Sequence, residues 1–329
     1  MPSIERHTWL GWKTETTAGT YVLSNPVAST GELHRATDVS LSLETGGHER
    51  MTDLGRLSNR PGFMGARHYA LDFTTELQLA ASGADNPPEI GDLLQACGYK
   101  ETVNLATDVV YGMTSDYSEL QKTCSFAVVK GIDDTNSVQN TMKGGLGNVA
   151  MNFRVGEPVE MNYSFLGQVS GLLDDEATIP NPTYSSDDIL RPPVAMAASL
   201  SIDASTTNTP AVSELSIDMG TTASISHDMG ETHGFGIPIV TSRKPTGSFV
   251  CDLVTVATYD WWTKWKDSDK IDATITLTDA NSNTCVITWD MSVTNISESP
   301  VDEMHKHTVE FDIVSTSAAL NDEITMTFS

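Results

Sequence analysis

Positive charge is what this chain has least of. Its 329 residues carry 19 Lys and Arg against 44 Asp and Glu, a formal net charge of −25. Binding to the nucleic-acid backbone draws its affinity from Lys and Arg, so a sequence-reading DNA-binding protein is excluded. A surface this acidic repels DNA over about 8 Å at physiological salt. It suits a channel that DNA slips through without adhering, and it also suits plain solubility. The imbalance is uneven: residues 1–168 hold 20 acids and 12 bases, residues 169–329 hold 24 acids and 7 bases.

Cysteine is scarce too. Cys97, Cys124, Cys251 and Cys285 form no CxxC pair and match no zinc spacing, which leaves buried free thiols in a reducing compartment. No run approaches the roughly 20 apolar residues that span a bilayer, so no membrane partner is expected. The start, Met1-Pro2-Ser3-Ile4-Glu5-Arg6-His7, lacks the apolar stretch of a secretory signal and points to assembly in a cytoplasm. There is no GxSxG, HExxH, phosphate-cradling glycine loop or EF-hand loop. No enzyme, cofactor or metal site is therefore expected. His305 and His307 (DEMHKH) would share one face of a strand. A solvated strand face is preferred there over a metal pair.

What is abundant is period-two alternation of β-favouring residues. It marks Asp38–Glu44, His68–Gln78, Ser125–Lys130, Asn148–Val155 and Val159–Leu166 in the first half. In the second half it marks Glu214–Asp218, Ser248–Val254, Asp272–Thr278, Thr284–Val293, Lys306–Val314 and Glu323–Phe328. Helical pattern is confined to one segment per half. One follows Pro87-Pro88, with Ile90, Leu93, Leu94 and Cys97 on one face and Gly98 closing it. The other is Tyr259–Lys266, where Trp261, Trp262 and Trp265 are expected to be mostly core.

The pattern repeats. Leu41–Gly46 reads LSLETG and Leu215–Gly220 reads LSIDMG. Each is followed by a long polar stretch (Gly47–Arg67 and Thr221–Gly247), a strand, the helical segment, another strand and a final pair. Between the copies, residues 171–193 hold four prolines and five acids, the composition of a linker or surface arm. The reading is a mainly β chain of two tandem domains, residues 1–170 and 194–329, joined by 171–193. Each domain would have one short flanking helix and one long polar loop.

Structureless loops beyond about 15 residues are unusual in compact domains. Met51, Leu54, Leu57, Phe63 and Met64 lie in the first long stretch, His227 and Phe235 in the second. They are expected to find cover on a neighbouring subunit. Open sheet edges pose the same problem, and closure into a ring removes them.

Met142–Gly167, MKGGLGNVAMNFRVGEPVEMNYSFLG, resembles the segment of phage tail tube (major tail) proteins in which a Gly-rich turn precedes a strand, a Gly-Glu turn and a second strand. Ile90–Tyr99 (IGDLLQACGY), Val109–Ser115 (VVYGMTS) and Lys13–Tyr21 (KTETTAGTY) resemble further segments of that family in the same order. The resemblance covers about the first 170 residues, and the rest only through the repeat. It implies a β-sandwich or barrel whose subunits form rings, with rings stacked into a tube that conducts DNA. It implies as partners other copies of the chain and other tail proteins: terminator, distal tail and tape measure. Single-domain members form six-membered rings, so two domains per chain make a trimer with pseudo-six-fold symmetry preferable to a hexamer. Gly144, Gly145 and Gly147 would supply the tight turn. Asp72, Glu76, Glu160, Glu310 and Asp312 are candidates to face the lumen. The competing reading is a two-domain carbohydrate-binding or adhesin module using Trp261, Trp262 and Trp265.

Overall fold

A computed structural model describes residues 8–24, 33–48, 62–79, 86–132, 136–171, 175–178, 192–195, 199–203, 210–301, 304–315 and 320–329. The first half contains β1 (Thr8–Thr14), β2 (Leu33–His34), β3 (Thr37–His48), β4 (Phe63–Glu76), α1 (Gly91–Ala96), β5 (Tyr99–Asn104), β6 (Asp108–Met113), α2 (Tyr117–Leu120), β7 (Cys124–Gly131), β8 (Asn136–Arg154), β9 (Glu160–Val169) and β10 (Asp175–Thr178). The second contains β11 (Ser199–Ile202), β12 (Val212–Asp218), β13 (Thr221–Ser224), β14 (Ile239–Arg243), β15 (Thr246–Asp252), α3 (Trp261–Asp267), β16 (Lys270–Thr278), β17 (Thr284–Val301), β18 (Met304–Ile313) and β19 (Ile324–Phe328).

Alternation builds the strands as expected. In β4, Tyr69, Leu71, Phe73 and Thr75 are buried while Asp72 and Glu76 face outward. In β16, Ile271, Ala273, Ile275 and Leu277 are buried between exposed Lys270 and Asp272. The buried faces meet in one apolar cluster that draws on both halves. Phe73 is its centre in the first half, 5.2 Å from Tyr163, 5.9 Å from Phe165 and 6.1 Å from Phe126, measured between ring centroids. In the second half Trp261 packs 4.3 Å from Tyr259 and 5.2 Å from Phe249. The four cysteines are buried and unpaired, and burial pushes the Cys251 thiol up to about 12.

Each half is organised on one long strand. β8 carries β7 and then β12 along one edge, β10 and β9 along the other. β17 carries β16 along one edge, β19 and β18 along the other. Beyond them, β4 pairs with β9 and β3 with β4, while β15 pairs with β18 and β12 with β15. β1 lies on β7 as β11 lies on β16. Two seams unite the halves: Glu214–Asp218 of β12 on Ala150–Arg154 of β8, and β19 on β6.

Three expectations are corrected. Gly144, Gly145 and Gly147 lie inside β8, not in a turn before it. The register of β8 shifts between Lys143 and Leu146, so Gly144 and Gly145 form a bulge within a strand of 19 residues, and Gly147 follows in regular pairing with Phe165. Gly144 has φ +65°, and a Cβ on Gly147 would fall on the Ser164 carbonyl oxygen. The first half also has a second helical turn, α2, started by Asp116 accepting from the Ser118 amide. Finally, residues 171–193 are more than a connecting segment. Within them β10 pairs with β8, and buried Pro193 accepts a hydrogen bond from the Val159 amide at 3.4 Å.

The bulge is held by Glu15, which is buried. Its carboxylate accepts from the amides of Gly19 (2.6 Å) and Gly144 (2.7 Å) and from the hydroxyls of Thr123 and Ser125 at 2.5 and 2.7 Å. The opening segment, the bulge and β7 are thereby tied at one point. Replacing Glu15 by Ala leaves several buried donors unmade, each costing about 1–3 kcal/mol. A clear fall in the thermal unfolding midpoint is expected in calorimetry, with a smaller fall for Glu15→Gln.

Candidate functional site

The strands β3, β4, β9, β8, β12, β15, β18 and β17 form one uninterrupted eight-strand sheet across both halves. Residues opposite each other in adjacent strands project to the same face. One row runs Glu76, Glu160, Asn152, Ser216, Ser248, Glu310, Asn295. The next runs Thr74, Asn162, Ala150, Asp218, Thr246, Asp312, Ser292. Asp72 sits one row further along β4, opposite Ser164. The five acids expected to line a lumen therefore share one face, and in these rows they are accompanied by Asp218 and by Ser, Thr, Asn and Ala.

Hydrogen bonds between neighbours fix the polar side chains. Thr74 donates to Asn162 at 2.7 Å, Ser216 to Asn152 at 2.8 Å, Asn148 to Asp218 at 2.7 Å and Asn295 to Glu310 at 3.3 Å. The cations at this face are matched by acids. Arg154 lies 3.9 Å from both Glu157 and Glu214, and Lys244 lies 3.4 Å from Asp312. Burial raises the Asp72 carboxyl above its ordinary value. The surface is acidic, hydrogen-bonded and poor in apolar groups.

The sheet ends in two open edges. Among the described residues, β3 pairs only with β4, and Val293–Val301 of β17 pairs only with β18. These edges are the counterparts of the β12 and β8 edges that meet at the seam within the chain.

The loop residues divide three ways. Met51, Leu54 and Leu57 lie outside the described residues. Phe63 and Met64 begin β4 and are 57% and 55% exposed. Phe235 is partly covered by its own chain, which corrects the expectation for it, while His227 is exposed beside it. The loop between β13 and β14 folds onto the first half of its own chain, where β4 and β9 offer it backbone and side-chain partners. The Phe235 ring lies 4.8 Å from His68 and 4.5 Å from His227. Gln168 donates to the Phe235 carbonyl at 2.7 Å, and the Arg67 amide donates to the His233 carbonyl at 2.9 Å.

The tryptophan stripe is also corrected. Trp261 is core, but Trp262 and Trp265 are each 42% exposed, and Trp261 is the single residue of α3 that is buried. They meet edge to face at 6.2 Å, and the Trp265 N–H is taken by the Thr294 carbonyl. His307 is buried and lies 3.3 Å from Glu298, while His305 is exposed. Sequence reasoning missed Glu15 as the organising carboxylate. The signal was present in KTETTAGTY, where Glu15 and Gly19 are the two residues that bond.

A mainly β chain with one polar sheet face and two open edges is the architecture of a structural subunit that pairs through its strands. The family model for the phage tail tube protein matches residues 7–322, and the chain belongs to that family, whose members are structural proteins of the virion tail. No curated protein matches the chain.

The docked loop is sensitive to pH. Burial lowers His68, with Glu44 opposing and His227 adding to the effect. Burial also lowers His233, with Arg67 and Lys143 adding and Glu231 opposing. Lowered histidines hold protons less well when docked than when free. Docking is therefore strongest above the ordinary value of 6.5 and weakens as pH falls through it. Hydrogen exchange at the Arg67 amide, corrected for its intrinsic rate, should show more frequent opening at about pH 5.5 than at about pH 7.5. In His68→Gln/His233→Gln that difference should shrink.

Proposed function

We propose that three copies close into a ring, that rings stack into a tube, and that the polar face lines the bore through which DNA leaves the virion. The observation that carries this reading is the seam of β12 on β8 within one chain. It already joins two equivalent sheets edge to edge, and the unused edges at β3 and β17 are its counterparts. Repeating the seam between copies removes every open edge of the eight-strand sheet. Three chains then supply twenty-four strands, eight from each. A hexamer with the second half as outer decoration does not use the sheet that both halves share.

Residues 1–170 and 194–329 are, on this reading, duplicated tube domains joined by 171–193. Their support is the common pairing order around β8 and β17. The chain performs no catalysis. It assembles in the host cytoplasm with the terminator, distal tail and tape measure proteins. Its contribution to conduction is geometric and electrostatic. Acids such as Asp72, Glu76, Glu160, Glu310 and Asp312 repel the phosphate backbone at short range, and Arg154 and Lys244 beside them are already engaged by acids.

The register of the joint follows from laying LSIDMG on LSLETG and tracing the pairings across the sheet. Leu43 of one copy then faces Pro300 of the next, and Glu44 faces Ser299. Cβ atoms opposite each other across a strand pair are about 4.5–5.5 Å apart, near the range a disulfide spans. Oxidised Glu44→Cys/Ser299→Cys should give a covalent ladder ending at three chains on a non-reducing gel, while either single variant stays monomeric. A ladder ending at six chains removes the trimer. Electron microscopy of the purified chain should show hollow rings or rods, and uniform small monomers under assembly conditions would count against the whole reading.

A further inference from the structure

The loop end of the sheet holds a cavity of about 710 Å³ lined by Arg67, Lys143, Gln168, Glu231, His233 and Phe235, among others. In so acidic a chain it is unusual in setting two cations, Arg67 and Lys143, against one acid, Glu231. Among the described residues neither Arg67 nor Lys143 forms an ion pair, and the Arg67 guanidinium has only the Met64 sulfur at 3.3 Å. Arg67 Nε is a buried donor without a hydrogen-bond partner. A guanidinium and an ammonium beside a cavity, neither matched by an acid, call for an anionic occupant.

The opposite end of the same strands has the complementary defect. Glu76 of β4 lies directly across from Glu160 of β9, both exposed. Like charges directly opposite on neighbouring strands are destabilising. Among the described residues neither carboxylate has an ion-pair partner, since Arg154 is engaged by Glu157 and Glu214. In β4 and β9, His68 pairs with Gln168 at one end and Glu76 with Glu160 at the other. The two sites are thus roughly 25 Å apart along the strands.

We infer that the cationic cavity receives the Glu76 and Glu160 carboxylates of a second copy stacked upon it. This rests on the ring reading. If the strands run from rim to rim of the ring, their two ends lie on opposite rims. A stack that repeats in one direction must then bring unlike ends together, a head-to-tail contact that continues without closing. The acid pair of one ring meets the cavity of the next, and each relieves the other's uncompensated charge.

The test separates rings from rods. In the Glu44→Cys/Ser299→Cys background, the covalent trimer reports ring formation whatever becomes of stacking. Arg67→Glu/Lys143→Glu should keep that trimer and lose rods in the electron microscope. Adding Glu76→Lys/Glu160→Lys to the same chain should restore rods. Rods of unchanged length in the first variant, with its trimer present, overturn the inference. So does a failure of the reversed pair to restore them. If no trimer forms in the parent, the ring reading has failed instead. Should the charge reversal prevent folding, the milder Arg67→Gln/Lys143→Gln serves in its place, together with the parent rods in salt. They should shorten as sodium chloride rises from about 0.05 M to about 0.5 M while the trimer persists. Rods indifferent to salt and to the Gln variant overturn the proposal. Direct binding of inorganic phosphate, lost in the Gln variant while rods remain, assigns the cavity to a free anion and likewise overturns it.

Discussion

Everything in this molecule is arranged around one ladder of backbone hydrogen bonds, the one between β8 and β12. Without it the chain would be two sheets with four ends. With it the eight strands from β3 to β17 make one sheet with two ends, backed by an apolar cluster that draws on both halves. The ladder is specified from both sides. Leu215 and Ile217 of β12 come opposite Phe153 and Met151 of β8, and all four are buried. On the other face Ser216 bonds Asn152, and Asp218 takes the Asn148 amide. A slip of one residue would turn the apolar pairs outward, so the register is held by burial as well as by backbone bonds.

Long strands make that joint possible. β8 is long enough to pair with β7 through one part of its length and with β12 through another. A straight strand of that length would not follow a curved sheet, and the glycine bulge lets it bend and twist where the two partners change over. The bulge opens backbone groups that the ladder no longer serves, and the Glu15 carboxylate takes one of them at Gly144. A buried carboxylate is tolerable here because four donors surround it.

Much of this was legible in the amino-acid order. Strands such as β4 and β16 announce themselves because each side chain serves only one face. The kinship of LSLETG and LSIDMG pointed to equivalent strands, and the acids Asp72, Glu76, Glu160, Glu310 and Asp312 share a face because alternate positions must. What was hidden depended on distant partners. Gly144, Gly145 and Gly147 read as a turn because glycines punctuate chains locally, whereas their purpose here is close approach to Phe126, Phe165 and the Ser164 carbonyl. Phe235 read as a residue in need of a neighbouring subunit, but it lies against His68 and Gln168 of its own chain, more than sixty residues away. The β12–β8 joint pairs segments 64 residues apart, such as Asn152 and Ser216, and no local pattern announces it.

Carrying one joint inside the chain changes the kinetics of assembly. A ring of six separate domains must bring together six diffusing bodies in five encounters before it closes. In the proposed three-chain ring every second contact is intramolecular, with an effective concentration set by the connecting segment rather than by the supply of protein. Such a ring would need two encounters and a closure, and the rate of initiating one should climb with a lower power of subunit concentration. Dilution, early in infection or late in a purification, is correspondingly less of a threat to a subunit built in this way.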